Sequence, residues 1–222
     1  MLDARLQAVA DLVRQGSRMA DIGTDHALLP AALVAGGRCP SAIASDLRKG
    51  PAIAAARTVE AAGLQQHIHI RIGNGLSTIE PEEVEDIVIA GMGGETIARI
   101  LQEAPWTQNE RYRFVLQPMT RAERLRRFLF ENGYVIDQEV PISDGCHEYT
   151  VIGARYTGKP FSPSEALCHV GKLPLPRGMA YLEAVCRRLE HQFAATHDQN
   201  VAACLTEIRC YCNGEWQPWE ER

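Results

Sequence analysis

Residues Met19 to Leu28 read M-A-D-I-G-T-D-H-A-L, and the rest of the chain is organised around this segment. Its start is a short, mostly apolar run that predicts a buried strand, and Gly23 then opens a turn. Residues 28–35 favour a helix, in which Pro30 is tolerated because it falls in the first turn. A strand that passes through a glycine turn into a helix is typical of nucleotide-type sites at the end of a first strand.

Predicted strands and helices alternate through the rest of the first 155 residues. Apolar or alternating runs predict strands, and segments bounded by Gly and Pro predict helices. The further strands are expected at residues 41–46, 67–72, 87–90, 112–116, 134–136 and 148–154. The helices are expected at residues 1–15, 28–35, 51–62, 95–101 and 121–131. This order predicts an α/β fold, a Rossmann-like doubly wound sheet with an antiparallel edge strand.

The C-terminal part of the chain has a different pattern. Gly, Pro and Ser cluster at residues 156–164, which indicates a domain boundary. Apolar residues then recur at spacings of three and four over 179–193 and 201–212, which predicts a short helical hairpin. The predicted domains are therefore residues 1–155 and 165–215. Residues 160–222 carry six Lys or Arg, Arg222 among them, against eight Asp or Glu, so this segment is not a basic arm.

Composition restricts the class of protein. The 222 residues are 45% hydrophobic and 23% charged, which is typical of a soluble globular protein. No apolar run reaches the roughly 18 residues of a membrane span, and the first residues do not resemble a signal peptide, so we expect a cytoplasmic protein. Seven cysteines without a C-x-x-C pair favour reduced thiols over disulfides or zinc, and we expect no metal.

Polar residues follow three consecutive predicted strands, and they indicate the kind of ligand. Asp21 and Gly23 lie at the first strand, Asp46 ends the second strand 23 residues after Gly23, and Asn74 follows the third. This spacing suits an acid that binds ribose hydroxyls, and an amide suits the edge of an adenine. Asp25 stands where a dinucleotide-binding loop has its second glycine, and a carboxylate about 4 Å from a pyrophosphate costs several kcal/mol. Since an α-ammonium is attracted instead, S-adenosylmethionine is favoured over NAD.

Several motifs together resemble the bacterial tRNA (adenine-22-N1)-methyltransferase family. They are D-I-G-T-D-H-A at 21–27, K-G-P at 49–51, N-G at 74–75, G-M-G-G at 91–94, L-Q-P at 116–118 and E-Y at 148–149. The resemblance covers residues 1–155 and implies a class I methyltransferase domain, a C-terminal helical hairpin, and methyl transfer from S-adenosylmethionine to N1 of adenine 22 in tRNA. Two features depart from the family: the C-terminal part is short, and Met119 follows Pro118 where Asn is more usual.

The expected site residues fall into three groups. The cofactor is expected to contact Asp21, Gly23, Asp46, Leu47, Asn74, Gly75, Gly91 and Met92. Asp25 is the expected catalytic carboxylate, which would accept an amine hydrogen of the target adenine and stabilise its developing positive charge. His26 would shuttle the proton or would only form a hydrogen bond at the helix start, and Gln117 would orient the base edge. No Asp-Pro-Pro-Tyr or Asn-Pro-Pro-Tyr sequence occurs, which disfavours methylation of the exocyclic amine itself.

The third group is expected to contact RNA. Gly93 and Gly94 leave room for a flat base, or else only form a tight turn, and Pro118 lies nearby. Arg121, Arg124 and Arg127 are expected to bind phosphates, with Arg111, Arg113 and Arg126 close by; the alternative is a solvated helix face. The expected partner is tRNA, with neither a membrane nor a protein partner evident. A methyltransferase for another acceptor and a non-catalytic cofactor-binding or RNA-binding module stay as alternatives. For the C-terminal hairpin, the alternatives to RNA binding are an edge cover and a dimer contact.

Overall fold

A seven-stranded mixed sheet forms the centre of the molecule, in the strand order β3-β2-β1-β4-β5-β7-β6. The computed structural model describes residues 2–216. Strands β1 to β5 are parallel, whereas β7 is antiparallel to both β5 and β6. The strands are β1 Met19–Ile22, β2 Ala42–Asp46, β3 Ile68–Ile72, β4 Asp86–Gly93, β5 Arg113–Thr120, β6 Tyr134–Asp144 and β7 His147–Tyr156. The predicted fold class is confirmed.

Helices cover both faces of the sheet. They are α1 Ala4–Leu12, α2 Leu28–Ala35, α3 Lys49–Ala61, α4 Gly94–Gln102 and α5 Ala122–Glu131. Side chains alternate between the two faces of a strand, so Ile22 packs in one apolar cluster with Ile97 of α4 and Leu125 of α5, whereas Met19 packs in another with Val9 of α1. All four residues of β1 are buried, as its central position requires. None of the helices in the described part is both long and apolar enough to cross a membrane.

The predicted ends of β4 and β5 are too early. Both strands continue for three or four residues, and Met92 pairs with Pro118 across them. The register shifts on both sides of Met92, which is an irregularity of the β-bulge type, and Gly91 supplies a positive φ of 79° there. Residues 91–94 are therefore mainly the bulged end of β4 rather than a turn. A bulge allows strand pairing to continue past glycines, which often end a strand.

Within residues 2–216, three helices, rather than two, follow the sheet. They are α6 Glu165–Val170, α7 Met179–Thr196 and α8 Gln199–Cys212. The sequence pattern missed α6 because six residues are too few to show a helical period, although Ser164 caps it by accepting from the amide of Leu167. These helices share an apolar cluster of their own, which includes Leu182 and Ile208. Arg222, counted among the cations of this region, lies outside the described residues.

A buried ion pair ties the C-terminal helices to the sheet. Arg126 of α5 and Glu139 of β6 are both fully buried, and Nε of Arg126 donates to Oε1 of Glu139 over 3.0 Å. The same guanidinium donates to the backbone carbonyls of Cys168 and His169 in α6. Arg126, expected near the phosphate-binding arginines, is therefore a structural residue, because its guanidinium group is buried and paired with Glu139 inside the protein. This contact joins α6 to α5 and, through Glu139, to β6.

Candidate active site

The ends of four parallel strands meet at one edge of the sheet. Ile22 pairs with Ser45 on one side and with Ile89 on the other, and the amide of Gly23 donates to the carbonyl of Ser45 over 2.7 Å. A cleft of about 340 Å³ opens at this edge, between the turn after β1, the end of β4 and the start of α1. The predicted residues that line it are Asp21, Gly23, Asp25, His26 and Gly91. The register therefore brings together side chains that are distant in the sequence, as predicted.

Asp21 is a buried carboxylate beside this cleft, with no cation paired to it in the described part of the chain. The Thr24 hydroxyl donates to its Oδ2 over 2.6 Å. Burial raises the pKa of Asp21 to about 6, and the Thr24 hydrogen bond lowers it by less. A cationic group that binds next to this buried carboxylate would stabilise its charged form.

Gly23 leaves space that any other residue would fill. Its φ is +78°, and a Cβ at this position would collide with the methyl group of Met92. The backbone of the first turn therefore lies directly against the bulge of β4, which explains both a glycine and a flexible Met side chain at these positions. Gly23 and Met92, which were both predicted to contact the cofactor, therefore lie at the edge where the strands end.

The second and third strands contribute further polar groups to this edge. Asp46 is the last residue of β2 and is buried; its Oδ1 accepts from the backbone amide of Arg48 over 2.8 Å. Leu47 beside it is exposed, as an apolar residue that covers a flat ring would be. The Asn74 side chain is also exposed and makes no hydrogen bond within the described residues. Gly75 has a φ of +54° and packs against Ile100 of α4, so its role in the structure is to bring that loop close to α4.

Asp25 and His26 project from a strained turn. Asp25 has a φ of +49° and Ala27 a φ of +52°, a left-handed conformation that non-glycine residues rarely adopt. The Asp25 and His26 side chains remain 63% and 58% exposed, and Oδ2 of Asp25 lies 3.6 Å from Nε2 of His26. The turn thus holds a carboxylate and an imidazole side by side at the cleft, where a ligand can reach both.

Gln117 occupies a different place from the one predicted. Its side chain is fully buried, and its Oε1 accepts from the Gly91 amide and from an Arg5 guanidinium nitrogen, each over 3.0 Å. Its amide nitrogen donates to the Pro118 carbonyl and to the sulfur of Met119. The expectation that Gln117 orients a base edge is therefore corrected: its amide is committed to holding α1, the β4 bulge and the end of β5 together.

The predicted base-contacting residues are only partly available. Gly94 is buried, and a Cβ there would collide with the backbone carbonyl of Arg121, so this glycine permits two strand-to-helix connections to cross. Pro118 is also buried, within β5. Gly93 is partly accessible, and Met119, which the sequence did not single out, is exposed. The contact predicted for Gly94 and Pro118 is corrected: both residues are buried, and the backbone of Arg121 packs directly against Gly94.

Most of the predicted arginine patch is paired within the protein. Arg127 lies 2.6 Å from Glu165, Arg111 forms an ion pair with Glu82, and Arg113 with Asp137. Arg121 and Arg124 remain exposed. Several residues at the cleft were also missed, Thr24 and Arg5 among them. The Thr was recognisable as a polar neighbour of Asp21, but no sequence signal connects Arg5 of α1 with Gln117, because the two are 112 positions apart.

These residues fit a nucleoside cofactor with a cationic amino acid tail. The buried, cation-free Asp21 suits an α-ammonium, Gly23 admits a close backbone approach, and Asp46 retains carboxylate capacity for ribose hydroxyls. Among the described residues, no group of three or more metal-ligating side chains could hold a metal ion. The fold and this site together define a class I, Rossmann-like methyltransferase.

Comparisons with known proteins agree with this class. A family model described as a methyltransferase domain matches residues 2–152. The tRNA (adenine(22)-N(1))-methyltransferase of Bacillus subtilis is 41% identical over 155 residues, which are 69% of this chain and 65% of that protein. The chain belongs to this family of bacterial methyltransferases, and the predicted membership is confirmed.

Solved structures resemble the whole described fold. The crystal structure of the B. subtilis m1A22 tRNA methyltransferase TrmK has a TM-score of 0.74 and 31% identity, and the match covers 96% of each chain. Streptococcus pneumoniae Sp1610, solved in complex with S-adenosyl-L-methionine, has a TM-score of 0.84 and 32% identity, with 96% of this chain and 100% of that chain covered. The likeness therefore includes the C-terminal helices.

Proposed function

We propose that this protein transfers the methyl group of S-adenosylmethionine to N1 of an adenine in tRNA, with adenine 22 as the position. The observation that carries the proposal is the single turn after β1, which places buried Asp21 next to exposed Asp25 and His26 at one cleft. The likeness to the B. subtilis enzyme and to the S-adenosylmethionine complex of Sp1610 supports it. The protein would act in the cytoplasm, without a membrane or a protein partner.

One group of site residues would bind S-adenosylmethionine and another would bind the target adenine. When bound, S-adenosylmethionine supplies a sulfonium methyl group. Asp21 would bind the α-ammonium, Asp46 the ribose hydroxyls, and Asn74 and Leu47 the adenine ring of the cofactor. Gly75, Gly91 and Met92 would shape the remaining walls. This assignment accounts for the buried charge of Asp21, which the protein itself does not neutralise within its described part.

The acceptor side of the cleft requires alignment more than activation. Adenine N1 has its own lone pair and can attack a methyl group in line without prior deprotonation, after which the base is positively charged. Asp25 would accept a hydrogen bond from the exocyclic amine and stabilise this charge as it develops. His26, within 3.6 Å of Asp25, would take up the proton that the methylated base releases. Gln117 would not contact the base but would hold the Gly91 backbone in position through its hydrogen bond.

RNA must also be held outside the cleft. Extruding the adenine from its stack costs a few kcal/mol, and phosphate contacts offset this cost. Arg121 and Arg124 are exposed near the end of β5. Arg121 lies 3.8 Å from Glu123, whereas Arg127 lies 2.6 Å from Glu165, which favours Arg121 and Arg124 over Arg127. Gly93 would pass close to the base. We also retain residues 1–155 and 165–215 as the two proposed domains.

Methyl transfer to defined RNA tests the proposal directly. The protein is incubated with methyl-labelled cofactor and an unmodified tRNA transcript, and the digest is analysed for N1-methyladenosine. A transcript with guanosine at position 22 is the control for position and should remain unlabelled. Label in another nucleoside, or only in a small molecule, would support a different acceptor, and cofactor binding without any transfer would support a non-catalytic module.

The role of Asp25 is tested separately. Asp25→Asn keeps the size of the side chain and removes its charge, so the rate of transfer should fall by about 10²-fold or more if the carboxylate stabilises the cation. Cofactor affinity should stay close to that of the wild type, because Asp21 binds the amino acid tail. A variant as active as the wild type would contradict the role of Asp25 and leave the overall function intact.

A further inference from the structure

A groove leads away from the active-site edge toward the C-terminal helices. It begins at Met119, whose sulfur accepts from Gln117, and it runs between the end of β5 and α7. It then widens into a cleft of about 480 Å³ between α5 and the C-terminal helices. Arg121 and Arg188 line both parts, so the two parts adjoin at these residues. None of the sequence motifs pointed to Arg188.

Three arginines line this groove. One oxygen of Glu123 lies 3.8 Å from Arg121 and the other lies 3.6 Å from Arg188, so both guanidinium groups flank one carboxylate. The Arg121 and Arg188 side chains are nevertheless 63% and 55% exposed. Arg124 adds a third cation to the wide part of the groove. Glu123 is therefore shared between two of the three arginines, and the lining as a whole is not net positive, with Glu148, Glu165 and Asp198 as its other acids.

The acids of the groove are already engaged. Glu165 is paired with Arg127 over 2.6 Å, Glu148 accepts from the Ser143 hydroxyl over 2.7 Å, and Asp198 caps α8 by accepting from the Asn200 amide. His169 at the wall of the cleft is neutral near pH 7, because burial lowers its pKa to about 4. Any attraction of the groove for an anion would thus come from its individual exposed arginines rather than from an excess of positive charge.

We propose that this groove binds the RNA strand that flanks the target adenine, with Arg188 and Arg121 on a phosphodiester and Tyr149 and Met119 against a flanking base. Guanidinium groups bind phosphate oxygens in a bidentate manner, and unstacked bases of single-stranded RNA pack on aromatic and other polarizable side chains. Tyr149 and Met119 line the narrow part of the groove next to the active site, whereas the arginines extend from it. This inference rests on the proposed function and extends it to the C-terminal helices.

The test measures tRNA binding as a function of salt. Arg188→Ala should weaken binding about tenfold and reduce the slope of log K against log salt by about one, as expected for the loss of one phosphate contact. Arg187→Ala is the matched control: it removes the same charge from the next position of α7, which is exposed and outside the groove, and should change affinity less than about twofold. Cofactor affinity should be unchanged in both variants.

A second pair of variants tests the base contact. Tyr149→Phe keeps the ring and should bind tRNA like the wild type, whereas Tyr149→Leu should weaken binding about tenfold, which is within the range of stacking on one base. Urea unfolding of all variants checks that the β6–β7 hairpin and α7 remain folded. Equal weakening by Phe and Leu would contradict stacking.

The outcomes separate the groove from the proposed activity. A wild type that methylates tRNA, together with an Arg188→Ala variant that matches Arg187→Ala in affinity and salt slope, would overturn the groove alone. A wild type that neither binds nor methylates tRNA would overturn both. Polyglutamate serves as a second probe: if Arg188→Ala lost polyglutamate binding but kept tRNA binding, the groove would bind an acidic protein and the RNA assignment would be wrong.

Discussion

The ionisation of Asp21 should make the stability of the protein depend on pH in a predictable way. Burial raises the pKa of this carboxyl from 3.8 to about 6 in the folded protein. The folded state therefore holds the proton more tightly than the unfolded state between these two values. As the pH rises through this window the unfolded chain releases its proton first, so the free energy of unfolding decreases. A pKa difference of about 2 corresponds to about 3 kcal/mol, at about 1.4 kcal/mol per pKa unit.

The variant Asp21→Asn isolates this contribution. Asn has no titrating group, and any fixed cost of its amide is the same at every pH. The unfolding free energy of the wild type minus that of the variant should therefore decrease by about 1 kcal/mol from pH 5 to pH 7, which is the part of the total that falls in this range. Urea unfolding at half-unit pH intervals measures it. Thr24→Val removes the hydrogen bond that lowers this pKa, so it should move the decrease to higher pH.

The affinity for the cofactor should depend on the ionisation of Asp21 in the same pH range. An α-ammonium next to Asp21 favours the carboxylate, so S-adenosylmethionine should bind more weakly below about pH 6 than above it, and Asp21→Asn should remove this dependence. Isothermal titration at pH 5 and pH 7.5 provides the comparison. A wild-type minus variant difference that is flat from pH 5 to pH 7 would refute the argument about burial. A pH-dependent stability with pH-independent affinity would refute the ammonium contact alone.

Three further changes probe the packing and the arginines. Gly94→Ala forces a Cβ against the Arg121 carbonyl, so it should lower the unfolding free energy by about 1–3 kcal/mol; a stability unchanged in urea would show that the two connections are free to separate. Glu139→Gln leaves buried Arg126 without its counter-charge and should lower the unfolding free energy by about 3–5 kcal/mol. The double change Arg126→Met and Glu139→Leu removes both charges and should lower the unfolding free energy by less. Equal losses in the two variants would show that the uncompensated charge of Arg126 is not the cause. Arg124→Ala should weaken tRNA binding more than Arg127→Ala, because Glu165 already neutralises Arg127, with cofactor affinity unchanged in both; an unchanged tRNA dissociation constant for the double variant would remove this patch from the interface.

Local patterns in the sequence were sufficient for the strand-end residues of the site. The bounds of β1 and α2 agree with the prediction, since a short apolar run, a glycine turn and a first-turn proline are all local signals. Once the alternation of strands and helices indicates a parallel sheet, the polar residues after the strands must share one edge. Asp21, Gly23 and Asp25 could therefore be predicted. The roles of the individual site residues stay predictions.

Tertiary contacts decided what the neighbouring side chains are free to do. Gln117 and Arg126 are polar residues at positions where the sequence suggested contact with RNA, yet both are buried and committed to partners far away in the chain. Gly94 is covered by the backbone of Arg121, which only folding brings there, and Pro118 is buried within β5.

The turn after β1 combines both contributions. Its sequence alone indicated a strand, a glycine turn and two acids, which predicted the fold and the kind of ligand only together with the later strands and the polar residues that follow them. Only the structure showed that one acid is buried with a raised pKa while the other is exposed beside His26. The physical reason is that residue types and short-range periodicity determine local conformation, whereas burial, and with it the charge state of a carboxyl, depends on which distant segments pack around it.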